Sequence, residues 1–127
     1  MDFQIPNGDT PIFTAIERLK IRRKQLGQVL GCSQATLSHI FNGKRPTIQP
    51  TWIIILTEVV AANVLQHLEA GNIGKNEYEM ASILKTFKLI DDQREINQGF
   101  PQEEISQAVV FINDLKRKEA EKCNSQA

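Results

Sequence analysis

The chain of 127 residues is poor in the side chains from which most active sites are built. Its cysteines are two, Cys32 and Cys123, and its histidines are two, His39 and His67. Cys32 lies among apolar residues and Cys123 in a charged tail, so neither a disulfide nor a thiolate cluster is suggested. Neither histidine has a ligand partner at helical spacing, so no metal is expected. A phosphate-binding glycine loop and a nucleophile elbow are both missing. The acid pairs Asp91-Asp92 and Glu103-Glu104 read as loop and helix-start charges, the second suited to a helix dipole. No catalytic residue and no cofactor are expected, and an enzyme is improbable.

Net charge is missing too. Fifteen Lys and Arg balance fifteen Asp and Glu, which argues against indiscriminate binding to nucleic acid. Repeats and low-complexity linkers are absent. Residues 1–10 are polar and acidic, so no signal peptide is expected. The most apolar stretch, Trp52 to Ala70, is broken by Glu58, Asn63, Gln66, His67 and Glu69. A membrane span needs about 20 predominantly apolar residues, so this stretch is expected to be core or interface, in a cytoplasmic protein without a membrane partner.

What is present is concentrated in residues 21–46, IRRKQLGQVLGCSQATLSHIFNGKRP. Leu26 and Leu30 lie one turn apart on one helix face, and Leu37 and Ile40 share a face at a spacing of three. Gly31 falls between the two helices, where the turn demands a positive φ. Gly27 removes bulk between the two leucines and lets the second helix approach. Ser33 is placed to cap a helix beginning at Gln34. With Leu37 and Ile40 inward, Gln34, Ala35, Ser38 and His39 face outward. Gln34 suits a bidentate contact to adenine, and Ala35 suits a thymine methyl.

The segment LGQVLGCSQATLSHIFNGKRP resembles the helix-turn-helix of the lambda-repressor and Cro-like family, which includes plasmid, phage and antitoxin regulators. The matching features are Gly27, Gly31, Leu37 and the exit Asn42-Gly43-Lys44, within a likeness that runs from about residue 12 to residue 65. Arg22 and Arg23 depart from it, standing where the family often has a Ser or Thr cap and a Gln. The resemblance implies that Ser33, Gln34, Ala35, Ser38 and His39 meet bases or nearby phosphates of double-stranded DNA.

Charge distribution agrees. Between residues 12 and 50, Arg18, Lys20, Arg22, Arg23, Lys24, Lys44 and Arg45 stand against Glu17 alone. Arg22 and Arg23 precede the first helix of the motif, while Asn42, Lys44 and Arg45 follow the second. Those are the places that flank a groove and meet phosphates.

The remaining pattern is helical. Pro11 opens a helix capped by Asp9 or Thr10, with Ile12, Ile16 and Leu19 as its stripe. Pro46 and Pro50 bracket a short extended link. A long helix ends near Gly71, another spans Asn76 to Ile90, and a polar loop covers Asp91 to Gly99. Pro101 opens a helix striped by Ile105, Ala108, Val109, Ile112 and Leu115, and residues 116–127 are expected to fray.

The expected fold is all-α: a lambda-repressor-like helix-turn-helix DNA-binding domain over 1–72, then a small helical C-terminal region over 73–127. The expected function is sequence-specific transcriptional regulation of bacterial or phage type. A homodimer is expected, because one motif reads only a few base pairs. The apolar surplus after residue 51 is expected to form the dimer contact or, as the alternative, to bind a protein partner through the C-terminal helices, as in an antitoxin or antirepressor. Folding of those helices back over the long helix is the competing way to bury it.

Overall fold

In a computed structural model of the chain, residues 3–4, 10–31, 33–41 and 47–125 are described, some of them by backbone alone. Among these residues the helices are α1 (Pro11–Leu19), α2 (Arg23–Leu30), α3 (Gln34–Phe41), α4 (Pro50–Glu69), α5 (Glu77–Asn97) and α6 (Gln102–Ser125). One small antiparallel clasp joins β1 (Phe3–Gln4) to β2 (Thr47–Ile48), with Phe3 opposite Ile48. The fold is all-α, with a helix-turn-helix hairpin at the N-terminal end and further helices behind it.

The axis of the molecule is α4. Ile53, Ile54, Ile55, Leu56, Val60 and Val64 are all buried along it. They belong to one apolar cluster that also takes Ile12, Ala15 and Ile16 from α1, Leu26 and Leu30 from α2, and Leu37 from α3. The same cluster takes Ile83 and Ile90 from α5 and Ala108 from α6. Each such Ile or Leu contributes about 1.5–3 kcal/mol of transfer free energy. By length and composition α4 could cross a membrane, but half of its most apolar window is buried against the rest of the chain. The C-terminal helices thus fold back over α4 and α1, and most of the apolar surplus of α4 is covered within one copy.

Two C-terminal elements differ from expectation. The polar stretch from Asp91 is not a loop, because α5 continues to Asn97. Ile83, Thr86, Ile90, Gln93 and Asn97, spaced alternately by three and four, are all buried, and this stripe carries the helix through. Its polar members hide it from a search for apolar periodicity. Residues 116–125 are helical as well, since α6 runs to Ser125, while residues 126–127 lie outside the described residues. Asp114 pairs with Arg117 and Lys118 at helical spacings of three and four, which supports that end.

Those buried polar groups are paired. Gln93 is fully buried; its Oε1 accepts from the Ile12 amide at 3.2 Å and its Nε2 donates to Asn97 Oδ1 at 3.0 Å. Asn97 Nδ2 donates to Thr57 Oγ1 at 3.2 Å, and Thr57 Oγ1 donates to the Ile53 carbonyl at 2.7 Å. One hydrogen-bonded chain therefore ties α1 to α5 and α5 to α4. At the surface, Arg94 of α5 grips Glu58 of α4 with two bonds of 3.0 and 2.9 Å. The hydrogen bond to Glu58 raises the pKa of the guanidinium further, against the opposing effect of burial.

The start of α1 and the start of α4 share one construction. Each has Pro at its first position and a preceding residue, Thr10 or Gln49, whose side chain makes no capping bond. The third-position amides, Phe13 and Trp52, bond to the carbonyls of Thr10 and Gln49 at 3.0 Å. That leaves the second-position amide of each helix without a local acceptor. Gln93 supplies it for Ile12, and Glu104 Oε2 supplies it for Thr51 at 3.1 Å. Thr51 Oγ1 also donates to the Glu104 carboxylate and, at 3.3 Å, to the Glu104 carbonyl.

Candidate nucleic-acid interface

The hairpin follows from its local chemistry. In α2 the apolar Leu26 and Leu30 turn inward, and Gly27 between them is buried as well. Gly31 ends the helix at φ 72° and its amide closes onto the Gly27 carbonyl. Any other residue there adopts the left-handed region at a cost of about 1 kcal/mol or more. Ser33 then caps α3: its Oγ accepts from the Thr36 amide at 3.1 Å and lies 2.8 Å from Thr36 Oγ1. Leu37, fully buried, seats α3 on the core.

The outward face of α3 emerges by default. Ala35 and His39 are exposed, four residues apart on one side of the helix, and Ser33 is exposed at its start. Gln34 and Ser38 belong to the same helix, placed by backbone; their side chains lie outside the described residues. Asn42, Lys44 and Arg45, with Pro46, also lie outside the described residues, as do Cys32 and the turn residues 5–9.

A group of exposed cations sits where α1 passes into α2. Arg18, Lys20, Arg22 and Lys24 are all exposed, and the side chain of Arg23 is outside the described residues. Arg22 is the N-cap of α2, with extended backbone and no side-chain cap bond, so its guanidinium is not spent on the helix end. Lys20 closes α1 at φ 54°, a left-handed conformation held by a residue with a Cβ. Its amide bonds to Glu17 and Ile16 carbonyls.

What sequence reasoning missed is the support beneath this face. Gln93 and Glu104 are the acceptors that close α1 and α4, at the two ends of the segment that carries the hairpin. The sequence does not announce them, since Thr10 is itself able to cap a helix and only the structure shows that its side chain makes no capping bond. No described group of His, Cys, Asp and Glu has the makings of a metal site. His67 is an exposed residue of α4 whose Nδ1 lies 3.4 Å from Asn72 Nδ2.

A short helix with an exposed outer side, seated through a buried leucine and preceded by a left-handed glycine turn, is the geometry by which helix-turn-helix proteins enter a major groove. Comparison with curated proteins and with solved structures found no match. The helix-turn-helix family model, which describes a DNA-binding regulatory domain, matches residues 12–50. Over that segment, about a third of its length, the chain is similar to the lambda-repressor and Cro-like helix-turn-helix family.

Proposed function

We propose that the protein is a sequence-specific transcriptional regulator of bacterial or phage type. In this reading α3 enters the major groove, with Gln34, Ala35, Ser38 and His39 toward base edges and Ser33 beside the phosphates. Arg22, Arg23, Asn42, Lys44 and Arg45 then meet the backbone on either side. The observation that carries the reading is α3 itself, capped by Ser33, with Leu37 inward and Ala35 and His39 exposed.

The protein acts as a homodimer on two half-sites, because one recognition helix reads too few base pairs for useful selectivity. With α4 largely covered within one copy, the surface offered to a second copy is on the later helices. Val109 and Val110 of α6 and Leu84 of α5 remain exposed at 48%, 69% and 61%.

Selection of bound duplexes from a random pool tests both statements. A recovered consensus with two half-sites about 34 Å apart supports them; the absence of any consensus removes the regulator reading. On the recovered duplex, Gln34→Ala and His39→Ala should weaken binding by about 1–3 kcal/mol while sparing random DNA. Lys44→Ala and Arg45→Ala should weaken both alike and flatten the salt dependence. Light scattering should give twice the 14.4 kDa chain mass; a monomer on that duplex defeats the dimer.

A further inference from the structure

We propose that Glu104 is a positioning residue for DNA binding: from α6 it caps α4 and so fixes the point at which the chain leaving the recognition helix rejoins the core. The inference rests on the DNA-binding reading above.

The geometry is specific. Glu104 Oε2 accepts from the Thr51 amide at 3.1 Å and also takes the Thr51 hydroxyl, while the Glu104 carbonyl takes a second bond from that hydroxyl at 3.3 Å. Thr51 is buried and stands at the second position of α4, three residues after the buried Ile48 of β2. Only residues 42–46 separate Phe41 of α3 from Thr47 of β2, so covalent connection ties the start of α4 to the end of α3. The Gln49 side chain itself makes no capping bond.

The energetic sign separates positioning from charge. A carboxylate near a polyanion is repelled, so its removal by itself tightens DNA binding. Loss of the cap acts the other way, because the ordering it supplied in advance must then be done during binding. Glu104→Gln removes the charge and keeps an amide oxygen that accepts from Thr51. Glu104→Ala removes both.

The test measures affinity of the full chain for the selected duplex at one salt concentration, with folding of each variant followed by circular dichroism. Glu104→Gln should bind at least as tightly as the unaltered chain. Glu104→Ala should bind about five- to tenfold more weakly than Glu104→Gln, the worth of one cap at equal charge. Glu103→Ala, which removes the neighbouring exposed charge, should not weaken binding. Equal affinity of folded Glu104→Ala and Glu104→Gln would overturn the proposal while leaving the function reading intact. If Glu104→Ala does not fold, Thr51→Val carries the test, with binding about two- to threefold weaker expected and unchanged binding overturning it. An unaltered chain without sequence preference removes the function reading and this proposal with it.

Discussion

Helix α3 and the two helices that flank its hairpin, α1 and α4, are closed in opposite ways. α3 is capped from within three residues, by Ser33 on the Thr36 amide, after a left-handed Gly31. α1 and α4 are capped by Gln93 and Glu104, which lie 81 and 53 residues further along the chain. The hairpin therefore carries its own instructions, whereas its frame is completed by the C-terminal helices. A motif defined by local sequence is not thereby a unit of stability.

Removing residues 73–127 tests that difference most severely. It uncovers Ile12, Ile53 and Val60, strips Ile83, Ile90 and Ala108 from the core, and opens both distant caps. The loss is comparable with a whole domain stability of about 5–15 kcal/mol, so the 1–72 fragment should show no cooperative thermal transition. A sharp melt of that fragment would show that the N-terminal half stands alone.

Gln93→Met comes next. It keeps the shape but leaves the Ile12 amide and Asn97 Oδ1 unpaired in the interior. Chemical denaturation should report a loss of about 1–3 kcal/mol, felt across α1, α4 and α5. Ser33→Ala should cost a similar or smaller amount, about 0.5–2 kcal/mol. Hydrogen exchange should place that loss in α3 alone; protection lost equally in α5 would erase the distinction between local and distant closure.

The smallest effect concerns pH. Lys118 first, and then Arg117, hold the Asp114 carboxyl below its ordinary value of 3.8. A depressed carboxyl stabilises the folded helix above that ordinary value. The contribution disappears as pH falls below 3.8 through the lower folded value. Helicity followed by circular dichroism should show an acid step in the unaltered chain that is missing from Asp114→Asn.

The same division explains what was legible in the sequence. Gly31, Ser33, Leu26, Leu30 and Leu37 act on neighbours within one turn or one hairpin, so their roles follow from spacing. The continuation of α5 did not follow, because Thr86, Gln93 and Asn97 place polar atoms on the buried stripe and only their partners on α1 and α4 make them core residues. The end of α6 was hidden by its charge: Lys116 to Lys118 look like a solvated tail until Asp114 is set one turn before them. Of the candidate interface, the positions of Ser33, Ala35, His39 and Arg22 were accessible from the helical register. The acceptor beneath α4 was not, since nothing in Glu103-Glu104 distinguishes an exposed acid from a cap for a helix 53 residues earlier.

Closure at such distances has a consequence for synthesis. At about 5–20 residues per second, the ribosome completes Ile12 to Thr51 several seconds before Gln93 and Glu104 exist. During that interval the nascent recognition hairpin has its turn and its own cap, yet the helices on either side of it lack their acceptors and their apolar cover. Contacts of long sequence separation also form late, because the loop must be closed before they reward it. On the function proposed above, the half that meets DNA matures only when the later helices dock, so a chain interrupted before Glu104 would leave no half-built competitor for the binding site.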